Sequence, residues 1–209
     1  NLDLKSKFGV DFFKSDYRAI GNNWSQVKYH NIASQNIIEP FGIFEFNHSS
    51  NKKIDYEIGF RYHYYELDTD NYTTKTSLSS DDRQNYAWSL GANYNLKNGQ
   101  KLFSHVSRSY RSPRLDEIIS LISPSPGHTH IDHQYSNDIE LGYEFIEKKQ
   151  RYKASIFRTL IKNQIYLNQT TLNNENFDPS IHQGLEIEFD QSINNNLNLK
   201  SNATFIDSH

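Results

Sequence analysis

The sequence has no cysteine, which excludes disulfides and thiolate metal sites. It also has no run approaching the roughly 18 consecutive apolar residues that a membrane-spanning helix needs. Basic residues are in slight deficit, 22 Lys and Arg against 25 Asp and Glu, and they are scattered rather than striped. The footprint of a nucleic-acid partner is therefore missing. No low-complexity segment or linker divides the chain. It opens on Asn1-Leu2-Asp3-Leu4, without a signal-like apolar stretch, and stops mid-pattern at Asp207-Ser208-His209, so it reads as a piece of a longer protein. Aromatic residues, by contrast, are plentiful, with 14 Tyr and 13 Phe in a chain only 35% hydrophobic. A polar chain rich in Tyr and Phe suits β-barrels, whose strands carry aromatic girdles.

Period-two alternation supports that class. In residues 53–67, Ile54, Tyr56, Ile58, Phe60, Tyr62 and Tyr64 alternate with Asp55, Glu57, Gly59, Arg61 and His63. Such a strand exceeds the five or six residues usual in soluble sheets and meets the about 9–11 that cross a bilayer at a tilt. The pattern returns at 2–12, 86–96, 139–145, 183–189 and 197–205, and more weakly at 38–46, 102–110 and 152–166, for about nine strands in all. Short polar turns at 49–52, 97–100, 147–150 and 194–196 alternate with long segments at 15–35, 68–84, 111–135 and 168–181. One tight end and one elaborate end characterise outer-membrane barrels, with short periplasmic turns and longer extracellular loops. The expected fold is therefore all-β, an antiparallel transmembrane β-barrel. A soluble carbohydrate- or protein-binding β domain with uneven loops is the alternative.

Three motifs add a family. Ser107-Arg108-Ser109-Tyr110-Arg111-Ser112-Pro113-Arg114-Leu115-Asp116-Glu117 resembles the S-R-S-F-R-A-P-x-L-D-E stretch of TonB-dependent outer-membrane receptors. Ser136-Asn137-Asp138-Ile139-Glu140-Leu141-Gly142-Tyr143 resembles the S-x-x-x-E-L-G-Y that opens their next strand. His182-Gln183-Gly184-Leu185-Glu186 resembles their R-x-G-x-E, and Ile43-Phe44-Glu45-Phe46 followed by Gly59-Phe60-Arg61-Tyr62 fits their F-x-E-x…G-x-R-Y rhythm. The N-P-x-L-K-P-E stretch common in the family is replaced by His130-Ile131-Asp132-His133-Gln134, which lacks the proline and the acid. The resemblance implies that residues 1–209 supply about nine strands of a roughly 22-stranded monomeric barrel in the bacterial outer membrane. It also implies that the plug domain, the TonB-contact segment and the barrel C-terminus lie elsewhere. The implied function is import of a scarce nutrient driven through TonB. A ferric siderophore is the first expectation for the ligand, with haem or a zinc or copper complex as the alternative within the family. A passive porin or structural barrel is the alternative from another class. No resident cofactor is expected; the partners are outer-membrane lipid, the TonB complex and a small metal chelate. No enzyme is expected, because no local signature ties a nucleophile to a base and no Gly-rich phosphate loop follows a strand.

Candidate ligand contacts are few. His128, His130 and His133 share one proposed extracellular loop, where imidazole can ligate a metal or haem iron or simply be solvated. Their H-x-H-x-x-H spacing is not a known zinc signature. Arg111, beside Pro113 where a strand gives way to a loop, either binds an anionic ligand or contacts the wall. Tyr110, Pro113, Glu140, Gly142, Gly184 and Glu186 are the structural positions of the family motifs. Glu140, Glu144, Glu186 and Glu188 line the polar face, as a wet wall or as contacts to a transported solute. Asp68, Asp70, Asp81 and Asp82 lack calcium-loop spacing and default to solvation.

Overall fold

An antiparallel ladder satisfies backbone N–H and C=O groups between neighbouring strands, which is what hydrocarbon requires of a chain that crosses it. The computed structural model describes residues 2–22, 28–48, 53–71, 76–118, 131–171, 173–194 and 196–209. In chain order the elements are β1 (Leu2–Asn22), β2 (Lys28–His48), β3 (Ile54–Asn71), β4 (Thr76–Asn95), β5 (Gln100–Arg111), α1 (Leu115–Ile118), β6 (Gln134–Glu147), β7 (Gln150–Lys162), β8 (Ile165–Asn168), β9 (Asn173–Asn176), β10 (Ser180–Asn194) and β11 (Leu197–Ser208). Nine of them form one sheet in the order β1-β2-β3-β4-β5-β6-β7-β10-β11, while β8 and β9 pair as a separate hairpin inserted between β7 and β10. The sheet is open, with β1 and β11 as its edges.

Register sorts the side chains onto two faces. Phe44, Ile58, Leu90, Val106 and Ile139 stand opposite one another along one row, on the apolar face. Phe103, Gly142, Ser155, Glu186 and Thr204 stand along a row on the polar face. Glycine on the polar face makes room for rings: a Cβ on Gly142 would lie 2.2 Å from the Phe103 ring and 2.8 Å from the carbonyl oxygen of Ala154. The tight β4–β5 turn puts both Asn98 and Gly99 at positive φ, 58° and 75°, a conformation these two residue types tolerate best.

The four N-terminal strands are longer than the alternation implies. Residues 15–35 and 68–84 were expected as connecting loops; instead Ser15 pairs with Gln35, Asn22 with Lys28, and Asp68 with Ser80. The reason is an inversion of polarity along each strand, beyond its apolar stretch. On β1 the apolar face runs Leu4, Phe8, Val10, Phe12 and then Lys14, Asp16, Arg18, while the polar face runs Lys5, Lys7, Asp11 and then Tyr17, Ala19. β3 inverts likewise, from Tyr62 and Tyr64 to Glu66 on one face and from Arg61 and His63 to Tyr65 and Leu67 on the other. Beyond the apolar stretch the outer side carries charge, and the inner side carries apolar residues that need a cover. That cover is α1: Leu115 and Ile118 are buried with Ala33, Tyr65 and Leu67, and Tyr17 and Ile37 pack against the cluster. A second difference is local, because the stretch expected as one strand over 152–166 divides at Asn163 into β7 and β8, where φ is 54°.

Candidate functional site

Beyond the apolar stretch of β5 the chain leaves the sheet and folds across its polar face. Pairing of β4 with β5 stops at Trp88 opposite Arg108, although β5 stays paired with β6 as far as Arg111 opposite Gln134. Strict alternation would leave Tyr110 on the apolar face. Its hydroxyl instead donates to Glu39 of β2, at 2.9 Å and 71 residues away. Arg61 of β3 donates to the same carboxylate at 2.6 Å and to Asp11 of β1 at 2.8 Å. His63 Nδ1 lies 2.6 Å from Glu39, and its Nε2 lies 2.7 Å from the Ser112 hydroxyl, which is also 3.2 Å from His133 Nδ1. Rings close the cluster, with centroids of His63 and Tyr110 4.9 Å apart and those of Tyr65 and His133 5.2 Å apart. His63 and His133 are both buried, so their hydrogen bonds are retained at low dielectric. The network therefore ties the wall strands β1–β3 to both ends of the segment between β5 and β6.

Further contacts hold that segment from the side. Arg83 Nη1 donates to the carbonyl of Ile131 at 2.6 Å, and Asn163 Nδ2 donates to the carbonyl of His133 at 3.4 Å. The β8–β9 hairpin joins through Asn176, whose amide both donates to and accepts from the backbone of Asp132, and through Asn174, which donates to the carbonyl of Glu117 at 3.0 Å. Within the hairpin, Glu175 accepts from Asn168 at 2.9 Å and from Thr171 at 2.8 Å, and these donors hold its carboxyl below the ordinary carboxylate range. Nearer the tight turns, a separate ladder of charges lines the polar face: Glu144 accepts from Lys101 and Arg151 at 2.6 Å each, and Arg151 reaches Glu188 at 2.7 Å.

The residues singled out from the sequence divide between these places. His128 and His130 lie outside the described residues, whereas His133 is built into the buried network. Among the described residues, no group of three or more His, Asp or Glu side chains could hold a metal ion. Arg111 pairs with Glu117 of α1, Pro113 is fully buried, and Tyr110 is the link to Glu39. Glu140 lies 3.6 Å from Lys153, and Gly142, Gly184 and Glu186 sit in the polar-face rows. Asp68 is exposed on β3; Asp70, Asp81 and Asp82 have side chains outside the described residues. Sequence reading missed Glu39, Asp11, Arg61, His63 and Ser112 as a set. Arg61 and His63 did carry a signal, two cationic-type side chains in succession on the polar face of an aromatic strand.

Comparison with known proteins places the wall in a family. The model of the TonB-dependent receptor-like β-barrel matches residues 1–209. No curated protein matches the sequence. Among solved structures, the ferric-catecholate import receptor Fiu of E. coli K12 in its closed form is 15% identical with a TM-score of 0.66, covering 98% of this chain and 35% of Fiu. The copper transporter OprC is 14% identical with a TM-score of 0.75, covering 99% of this chain and 34% of OprC. The ferric yersiniabactin uptake receptor FyuA of Yersinia pestis is 13% identical with a TM-score of 0.71, covering 99% of this chain and 32% of FyuA. The chain thus spans about a third of the structures it resembles. At these identities the structures speak for the fold, and the match over residues 1–209 speaks for the family. This chain belongs to the TonB-dependent receptors, as part of the wall of their outer-membrane β-barrel.

Proposed function

We propose that the whole protein is a monomeric, TonB-coupled importer, its apolar face against outer-membrane lipid and a plug supplied by a part of the protein outside this chain. It captures a small metal chelate at the loop end of the wall, with a ferric siderophore as the first ligand class. The observation that carries this reading is the inward course of residues 110–118, where Tyr110 bonds Glu39 and α1 buries Leu115 and Ile118 on the polar face. A segment anchored there narrows the mouth of the lumen and brings polar groups to it, which suits a receptor that must grip its solute and close behind it. Fiu is a ferric-catecholate import receptor, FyuA a ferric yersiniabactin uptake receptor and OprC a copper transporter, and the shared fold supports a metal complex as the first ligand class to test.

The test is uptake of radioiron from a panel of ferric siderophores by cells that express the full-length receptor as their only one, with and without TonB. Saturable uptake of one siderophore that disappears without TonB is the expected result. Equal uptake in both strains would replace the importer by a passive porin. Haem is tested in parallel by haemin titration of the purified receptor beside a variant with His128, His130 and His133 changed to Ala. A Soret shift abolished in the variant would move the ligand class to haem.

A further inference from the structure

Charge on the polar face of β5–β11 changes along the strands. Toward the tight turns the acids meet cations: Glu144 pairs with Lys101 and Arg151, Glu188 with Arg151 and Lys153, and Asp190 with Lys200 at 3.1 Å. Lys153 also lies 3.6 Å from Glu140. Toward the loop end hydroxyls replace the cations. One row there reads Ser107, Asp138, Thr159, His182 and Ser208 across five strands. Asp138 accepts from the Thr159 hydroxyl at 2.7 Å and from the Ser136 hydroxyl at 2.8 Å. The ring nitrogens of His182 lie 3.2 Å from the Ser180 hydroxyl and 2.9 Å from that of Ser208. Among the described residues, Asp138 is held by hydroxyls alone. Arg111, the last cation on this face of β5, is paired with Glu117. Lys7 of β1 shares the row with Asp138 but stands five strand spacings away, about 24 Å along the wall against a Debye length of about 8 Å.

A carboxylate offers about four acceptor positions, and two hydroxyls leave about half of them open. Neutral donors orient Asp138 without cancelling its charge, so the wall keeps a negative potential where a solute first meets it. A cleft lined by charge of one sign concentrates solutes of the other and turns away those of its own. An ammonium group fits this place, because it forms a charge-assisted bond with the open lone pairs while the hydroxyls accept its remaining protons. A polyanionic chelate finds no unpaired guanidinium or ammonium near it. We propose that Asp138 is a specificity residue, selecting a metal chelate that carries a protonated amine over neutral and anionic chelates. The selection rests on the importer proposed above, whose lumen the polar face would line.

Three radioiron probes separate charge from shape: a linear ferric trishydroxamate with a free ammonium arm, the same chelate N-acetylated on that arm and therefore neutral, and a polyanionic ferric tris-catecholate. Each is offered below saturation to cells that express the full-length receptor as their only one, with and without TonB. Uptake that depends on TonB should be strongest for the ammonium form, weaker for the acetylated form and absent for the tris-catecholate. Asp138→Asn should lower uptake of the ammonium form about tenfold, the scale of losing a charge-assisted hydrogen bond, and leave the acetylated form unchanged. Equal or stronger TonB-dependent uptake of any neutral or anionic chelate overturns the selection and leaves the importer standing. An equal loss for both hydroxamates in the folded variant makes Asp138 a structural carboxylate and overturns it too. No TonB-dependent uptake of any ferric chelate removes the importer itself, and the selection with it. Unboiled gel mobility reports that the variant is a folded barrel; should it fail to fold, the wild-type ranking alone decides.

Discussion

Replacing Tyr110 by Phe removes one hydroxyl and leaves the ring beside His63. The lost bond runs 2.9 Å to Glu39, a carboxylate that Arg61 keeps company at 2.6 Å. A hydrogen bond to a charged partner contributes about 1.5–3 kcal/mol, and the partly open setting of Arg61 argues for the lower half of that range. Glu39 retains Arg61 and His63, so the wall itself should not weaken. The loss should therefore fall on the segment the bond holds. At about 1.4 kcal/mol per decade, amide protection in residues 110–118 should drop about 10- to 40-fold, while β6 and β7 exchange as in wild type. Hydrogen exchange read by mass spectrometry on the full-length receptor in detergent measures both regions at once. Unchanged protection in 110–118 would refute the assignment of this bond as an anchor. A uniform loss over β1–β7 would refute its locality.

Other consequences of the geometry can be checked independently. Gly184→Val places a Cβ 2.1 Å from the Phe205 carbonyl oxygen, so the β10–β11 ladder must shift and the unfolding free energy from a urea titration should fall by about 1–3 kcal/mol. Glu175 is held below the ordinary carboxylate range by Asn168 and Thr171. A carboxylate of lowered folded pKa contributes above its unfolded pKa and ceases to as pH falls through the folded value. The β8–β9 hairpin should therefore exchange faster under acid after correction for intrinsic rates, and Glu175→Gln should abolish that acid dependence. Arg83→Ala removes the donor to the Ile131 carbonyl and should raise exchange at 131–134 while leaving 110–118 protected; parallel loss in both would mean one cooperative unit.

How far the sequence carries depends on what each residue must satisfy. Two-faced strands announce themselves, because Ile54, Tyr56, Ile58 and Phe60 share one face while Asp55, Glu57 and Arg61 share the other. Extensions beyond the bilayer obey a different rule. Lys14, Asp16 and Arg18 continue the side that carries Phe8, Val10 and Phe12 earlier in β1, so their alternation inverts and reads as loop. The helix α1 supplied no periodicity to detect, being four residues long. Its buried Leu115 and Ile118 make sense only once Tyr65 and Leu67 are seen to turn inward above the band. In the site, His133 and Tyr110 were visible as motif or loop residues. Their partner Glu39 was not, since that contact spans 71 residues and joins a strand to a segment departing from the sheet. Arg111, an open choice between ligand and wall, finds its partner six residues on, at Glu117.

Residues 110–118 fold onto the polar face at the long-loop end of the wall. Because the chain has no cysteine, single substitutions report against no background from this chain. Leu115→Cys, Ile118→Cys and, as an exposed control in the β8–β9 turn, Thr170→Cys would be introduced into the full-length receptor and treated on intact cells with a membrane-impermeant maleimide. Rapid labelling at 170 with slow labelling at 115 and 118 is the expected result. Labelling at 115 and 118 as fast as at 170 would contradict the inward anchor.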